Sequence, residues 1–577
     1  MKKSHRAFLP AFLSVLISSF SGVSVHARGG QELVNAGSWV YDAFAAMAIE
    51  SGTVDFSDQA PLSVSELRTY LDDIDYDILS PAGKSLYRRV TAYFDDDDFS
   101  VTTDIIQLGA RPEMNVEGYY KFNDELDWVY GRYDKKPLLY APLFINLMDY
   151  ATLGMDLEVG INKKQMEKKD DYTNVPLGVD QMSTDFPKTG YLSTGVKLTD
   201  KTGVNLRVGM GEQDVGRTLT GSIIHSSYLT GTSWANLEIF NPNIRYNMNV
   251  TQLNVDKYMY THRFDFRFFD KLSVSVQEST IAFSPLELRF LNPLTVFHGM
   301  HNWKDYFPAG NPYGWSESAC AYLAIKASYA LTNNVRIYGL YAQDQLQLPN
   351  ESGGDDTTPN AIGGQLGVES FIPISEGYLH ARAEGYYATP YLYIKESPNW
   401  SMMRSYTENI GYSDPDDALY EWIGSPFGPD TAAAKLSVGY EVPGRWSLTA
   451  TGLFMARGEM SGTKVFNGRS WNGRERTNFG SSWDVQSWVF PNAKTQGLEA
   501  AKDRQGLSTP SNLRGGAPEY VLNAALKLTY EPFDYLSVQV QPSYTYVINS
   551  GNVEGETRHG PELSVSIKIR IPEMFRK

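Results

Sequence analysis

The chain has 577 residues, with 67 acidic and 51 Lys and Arg side chains, a net charge of −16, and 42% hydrophobic and 13% aromatic content. That apolar content suits a folded core rather than a disordered chain, and the acidic balance excludes nucleic acid, whose phosphates need a basic face. The single cysteine, Cys320, excludes a disulfide framework and a four-cysteine zinc site.

Taken in chain order, Met1-Lys2-Lys3-Ser4-His5-Arg6 is basic, and Ala7 to Phe20 is mostly apolar. Val25-His26-Ala27 then puts small residues at the −3 and −1 positions of a signal-peptide cleavage site, predicting export with loss of residues 1–27. An N-terminal anchor helix is the alternative, against which the apolar stretch is short. No Cys follows it to carry a lipid. Downstream, no stretch reaches the ~18–20 apolar residues of a membrane-spanning helix. An exported chain of this kind is either soluble or a closed barrel.

Residues 31–99 read as a helical bundle on the periplasmic side, able to serve as a plug. Ser38 precedes the stripe Trp39, Tyr41, Phe44, Met47 and Ala48. Ser63-Val64-Ser65-Glu66 is a capping box, in which each end side chain satisfies the other's amide, and Leu67, Tyr70, Leu71 and Ile74 continue its buried face. Ser80-Pro81 opens a third helix, carrying Leu86, Tyr87, Val90, Tyr93 and Phe94. The acidic run Asp95 to Asp98 reads as a solvated hinge, because an EF-hand needs spaced ligands and a Gly.

From residue 100 to 577 the period is two. Leu536, Val538, Val540, Pro542, Tyr544, Tyr546 and Ile548 alternate with Ser537, Gln539, Gln541, Ser543 and Thr545. Tyr258, Tyr260, His262, Phe264, Phe266 and Phe268 alternate with Thr261, Arg263, Asp265 and Arg267. Hairpins recur around Pro443-Gly444 and Thr332-Asn333-Asn334, and the last strand runs Leu563, Val565, Ile567, Ile569, Ile571 toward Phe575. Alternation also describes a half-buried soluble sheet. Segment length, aromatic ends, and short turns alternating with long polar loops near 283–320, 394–430 and 457–518 favour a membrane barrel. The fold class is therefore mainly β: a transmembrane antiparallel β-barrel of about 16–18 strands with a small N-terminal α-helical bundle. A secreted sandwich or solenoid is the rival, and no fixed repeat supports the solenoid.

Chemistry-bearing motifs are sparse. His298 and His301 lack an acidic third ligand at useful spacing. His225-Ser226-Ser227, read as strand residues, places base and nucleophile on opposite faces. No P-loop or dinucleotide fingerprint is present, so neither a cofactor nor a metal is expected, and the chain reads as a non-enzyme. A barrel hydrolase, whose residues come from distant strands, is the third reading.

Aromatic rings mixed with carboxylates, amides and Arg suit sugar recognition, since rings stack on pyranose faces and polar groups bond the hydroxyls. Trp303, Asp305 and Tyr306 share one loop; Trp400, Arg404, Tyr406 and Trp422 a second; Trp471 and Trp483 a third. Packing of the loops on one another is the alternative. By strand parity Arg263, Asp265 and Arg267 share one lumen face, and His380, Arg382 and Glu384 another. They either set a field across a wet lumen or neutralise one another in the wall.

Gly216-Arg217 with Gly221-Ser222-Ile223-Ile224-His225-Ser226-Ser227, and Ser284-Pro285-Leu286-Glu287-Leu288-Arg289-Phe290-Leu291-Asn292-Pro293-Leu294 with Phe297-His298, resemble short patterns of the Wzi capsule-assembly barrels. The helical unit from Pro61 to Tyr93 is similar to the segment preceding such barrels. The resemblance spans about residues 60–300 and implies an outer-membrane barrel occluded by an N-terminal bundle. It also implies a lectin-like role on surface polysaccharide. No ligand residue of the family is matched. The implied partners are outer-membrane lipid and surface polysaccharide, with a porin-type channel for small polar solutes as the alternative function.

Overall fold

A computed structural model describes residues 28–95, 99–126, 135–160, 172–176, 189–297, 319–345, 360–395, 401–407, 418–458 and 517–575. The predicted signal segment, 96–98 of the acidic run, and the His298/His301 pair lie outside them. Eighteen antiparallel strands close into one barrel. They are β1 (Ile106–Ala110 with Glu113–Lys121), β2 (Leu139–Leu147), β3 (Ala151–Val159), β4 (Gly190–Lys197), β5 (Gly203–Met210) and β6 (Ser233–Phe240). Next come β7 (Ile244–Asn254), β8 (Lys257–Phe268), β9 (Leu272–Phe283), β10 (Ala319–Thr332), β11 (Val335–Gln345) and β12 (Ala361–Ile374). The circuit ends with β13 (Gly377–Ala388), β14 (Thr431–Val442), β15 (Trp446–Arg457), β16 (Glu519–Phe533), β17 (Leu536–Ile548) and β18 (Thr557–Arg570).

Closure is made by β18 against β1, from Glu562 opposite Lys121 to Arg570 opposite Glu113. β1 is interrupted at Pro112, which has no N–H for a ladder. Beyond the end of β18 the short strand Phe99–Thr102 takes over as partner, pairing Gln107 to Ala110. Every wall amide at this seam thus keeps a neighbour, as hydrocarbon demands.

Parity sorts the side chains. On β8, Phe264 and Phe268 are exposed on the outer face while Arg263 and Arg267 are buried inside. On β17, Gln541, Ser543 and Thr545 are buried inside and Tyr544 faces out. Turns at one end are short, including 269–271, 333–334, 375–376, 443–445 and 534–535, while the opposite end carries the long connections. In outer-membrane barrels that asymmetry places the short turns on the periplasmic side.

The helical unit sits in the turn-side mouth. Its helices are α1 (Trp39–Glu50), α2 (Val64–Asp72) and α3 (Pro81–Phe94). Ser38, Ser63 and Ser80 cap them, their hydroxyls accepting from Val40, Glu66 and Gly83 amides at 3.4, 3.3 and 3.1 Å. The expected capping box is only half made. Ser63 already pairs with Leu33 in a two-stranded sheet, and the Glu66 carboxylate is drawn instead to wall arginines. α1 ends in a Schellman turn: Gly52, at φ +69°, and Thr53 donate to Ile49 and Ala48 carbonyls at 3.1 and 2.9 Å. The Asn334 amide of a wall turn also donates to Ile49 O, at 2.8 Å. Val40, Met47, Leu86, Val90 and Phe94 form a core that continues into Phe240, Phe371 and Tyr378 of the wall. Plug and barrel share one hydrophobic cluster.

One connection departs from expectation. Residues 284–297, expected in an external loop, fold back onto the outer face of β7–β9, where Phe290 and Phe297 are buried against Tyr260, Val250 and Ala282.

Strand parity makes a direct prediction. Val540→Arg places a cation in the lipid-facing band and should cost about 2–4 kcal/mol near the midplane, whereas Gln539→Arg on the wet face should fold almost normally. The fraction of heat-modifiable folded band after refolding into vesicles reads both.

Candidate functional site

Two insertions meet inside the lumen, the plug from the turn side and the β5–β6 connection from the loop side. Inward faces of consecutive strands present Arg207, Glu238 and Arg245, and the plug delivers Glu66 between them. Glu66 lies 3.2 Å from Arg207 Nη2 and 3.2 Å from Arg245 Nε; Glu238 bridges the same two arginines, at 2.7 Å to Arg207. All four are buried. A few residues away Asp58 meets Arg263 at 2.6 Å and Lys326 at 3.0 Å. Burial would raise the Asp58 carboxyl, but these two cations outweigh it and hold it well below the usual carboxylate range.

From the other side, residues 211–232 turn inward. Gly216 and Gly221 adopt φ +80° and +86°, a region closed to most side chains, and let the chain double back so that Val215 pairs with His225. The wall grips this loop by its backbone. Glu384 accepts the Leu219 and Thr220 amides at 2.8 and 3.1 Å and the hydroxyls of Thr220 and Tyr338. Gln365 accepts the Ile223 amide at 2.9 Å, and Tyr322 and Tyr393 both donate to Ile223 O at 2.6 Å. His225 is buried in this loop rather than set on a wall strand, and burial lowers it to about 4, leaving a neutral imidazole.

Plug and loop then join. Asp214 and Val215 pair with Ala60 and Gln59 in a two-stranded sheet across the lumen, and Gly216 and Arg217 amides donate to Asp58 O at 3.1 and 3.2 Å. Above the junction, Ile223 and Ile224 enter an apolar cluster with Tyr391, Leu392, Met402, Trp422 and Phe427. The seal is one-sided. Between the plug and the wall of β1–β6, the end of β16 and β18 lies a cavity of about 760 Å³, bordered by Trp39, Tyr140, Tyr191, Trp234, Glu531 and Lys136.

No family model and no curated protein matches the sequence. Among solved structures, the chain is similar to Wzi, an outer-membrane protein involved in group 1 capsule assembly in Escherichia coli and titled a carbohydrate-binding β-barrel. Identity is 11%, the TM-score 0.53, and the match covers 94% of this chain and 99% of Wzi. The fold is shared with Wzi. Looser superpositions link it to the channel DcaP of Acinetobacter baumannii (9% identity, 81% and 98% coverage, TM-score 0.31). OccK10 of Pseudomonas aeruginosa stands at a similar distance (7%, 80% and 98%, 0.34). At those scores neither bears on function. The resemblance to the Wzi barrels read from the sequence thus holds for the architecture.

Of the loop residues proposed from sequence, Trp303, Asp305, Tyr306, Trp400, Trp471 and Trp483 lie outside the described residues. Tyr406 lies on the short strand Met403–Thr407, which pairs with Ala418–Trp422. Trp422 is buried, stacked on Tyr393 at 5.9 Å, so its ring is core rather than an open platform. Arg404 donates to Thr230 O and lies 3.7 Å from Glu421, tying the inward loop to this hairpin.

The wall charges meet protein rather than open water. Arg263 also bonds Asp265 at 2.8 Å, while Arg267 pairs with Asp270 at 3.0 Å and Arg382 with Asp42 of α1 at 3.1 Å. His380 lies against Phe371, and Glu384 holds the inward loop. These charges are paired partly within the wall, as Arg263 with Asp265 and Arg267 with Asp270, and partly with the plug and the loop. Sequence reasoning missed Glu66, Arg207, Glu238 and Arg245 as a group. Parity marks the three wall residues as inward, but nothing local names the acid that joins them.

Two outcomes follow. Glu66→Gln removes the anion between two buried guanidinium groups and should cost about 3–5 kcal/mol, read as a drop in urea midpoint. For Asp58 the folded carboxyl lies below its ordinary 3.8, so its stabilisation is present above that value and is lost as pH falls through the lowered one. The stability gap between wild type and Asp58→Asn should be constant above about pH 5 and shrink steadily below pH 4.

Proposed function

We propose that this protein is an exported, non-enzymatic outer-membrane barrel that associates with surface polysaccharide, capsular or exopolysaccharide, through its loop-side surface. In this reading residues 1–27 are the cleaved signal, residues 31–99 the plug, and residues 100–577 the barrel. The observation that carries it is the junction of Asp214-Val215 with Gln59-Ala60, which joins an insertion from each end inside the lumen and favours a binding surface over a wide pore. The likeness to a barrel titled carbohydrate-binding supports the same reading. The aromatic clusters around Trp303, Trp400 and Trp471 supply the expected stacking platforms. Retention of purified protein on immobilised polysaccharide should fall at least about tenfold when Trp303, Trp400 and Trp471 are replaced together by Ala. Unchanged retention would remove the loops from the binding surface.

The cavity beside β1–β6 favours a second reading, a narrow channel for small polar solutes. Planar-bilayer recording separates the two. A binding barrel should be almost silent when intact and open to a large conductance after deletion of residues 31–99, while a channel conducts already in the intact chain.

A further inference from the structure

The flap at 284–297 lies on the lipid-facing side of the wall. On the neighbouring strands the outer positions in this register are apolar: Leu206, Leu237 and Met248 lead to β8, and Leu323 follows β9, before Thr194 and Gln343 on the strands beyond. Between them stand two titratable residues, His262 and its cross-strand partner Glu278. Thr280 lies two residues further along β9 on the same face. Polar groups facing hydrocarbon are costly, and here the chain covers His262 and Thr280 itself and leaves Glu278 half-buried. Phe297 sets its ring edge-on to His262, centroids 4.6 Å apart, and Phe290 packs on Tyr260 at 4.7 Å. The Tyr260 hydroxyl accepts the Glu287 amide at 2.9 Å, fixing the flap's entry. His262 is left 5% exposed and Thr280 0%.

The flap's opposite side carries four large aliphatic side chains, with Arg289 and Asn292 exposed between them. Leu286, Leu288, Leu294 and Val296 are 52%, 78%, 88% and 65% exposed. In water such a patch would be a liability. Tyr260 and His262 lie three and five residues below the loop-side start of β8, about 10–16 Å along a strand. The flap therefore stands beside the outer-leaflet part of a hydrophobic band about 25 Å tall. Its skin is continuous with the exposed outer wall of Leu206, Val208 and Phe264.

We infer that residues 284–297 are not part of the external surface but a membrane-seated flap, whose Leu286, Leu288, Leu294 and Val296 contact the acyl chains of the outer leaflet and replace the polar His262–Glu278 wall as the lipid-facing surface. The inference is independent of the polysaccharide reading.

The test uses the full mature chain with Cys320→Ala, carrying single cysteines labelled with bimane and reconstituted in phosphatidylcholine vesicles. Leu288→Cys and Leu294→Cys are the probes, Phe264→Cys the lipid-facing control, and Val255→Cys the control in the loop-end turn. Only protein giving the heat-modifiable folded band is measured. If a probe variant does not fold, Leu286→Cys and Val296→Cys report from the same skin. Doxyl groups on the lipid chains should quench the probes to within about twofold of Phe264→Cys, with little quenching by aqueous iodide. Iodide quenching equal to that of Val255→Cys would put the flap in water. Shielding from both quenchers would show that a protein surface, a second copy or another chain, covers it. Either result overturns the inference.

Discussion

A peptide group in hydrocarbon has only other peptide groups to bond, and the wall of this protein is arranged around that requirement. Its ends must meet, so β18 pairs with β1, and where β18 runs out the short strand Phe99–Thr102 continues the seam. A closed sheet fixes parity, with every second side chain inward. Parity in turn sends Arg207, Glu238, Arg245, Arg263, Lys326 and Glu384 into the lumen, where something must answer their charge. In an open pore that is water. Here much of it is protein.

Helices in the lumen change the electrostatics of the wall. Once α1–α3 exclude water, each inward charge needs a partner, and the plug supplies Asp42, Asp58 and Glu66. Such pairs add little net stability over apolar filler, because desolvation offsets most of their attraction, yet breaking one is expensive. Their consequence is positional. The apolar contacts of Phe240, Phe371 and Tyr378 with the helices tolerate sliding, whereas a plug shifted by one turn would strand several buried charges. Burial of apolar area holds the plug in, and the ion pairs decide where it sits.

Much of this was legible in the chain. Alternation at 536–548 and 258–268 named the strands and their faces, and Ser63 and Ser80-Pro81 marked helix starts that the structure retains. What local pattern did not show depends on register, which joins residues more than a hundred positions apart. Glu66 looked like half of a capping box because Ser63 stands three residues before it; only the placement of Arg207 and Arg245 turns it toward the wall. The 216–227 stretch and the 284–297 flap carry neither helical nor strand period, since one crosses the lumen and the other lies on the wall's outer face. Trp422 read as a loop platform, but loop aromatics also build cores, and Tyr393 stands beside it.

The one-sided seal follows from the same geometry. Strand number sets barrel width, and a barrel of this size encloses more space than side chains alone fill. Three short helices, each about 10 Å across, do not fill it either. β5–β8 and β10–β13 carry the arginines, Lys326 and Glu384 that the plug and inward loop engage. The opposite wall holds the plug as well, through Arg111 with Glu32 at 2.6 Å and Glu531 with Arg89 at 2.9 Å, and Gly154 there is held small because a Cβ would run into the Tyr191 ring at 2.4 Å. Past these contacts the space bordered by Trp39, Tyr140 and Trp234 stays unfilled. Ion pairs thus tether the plug on both sides of the lumen, and the cavity is the room left between the tethers because three short helices are narrower than the barrel.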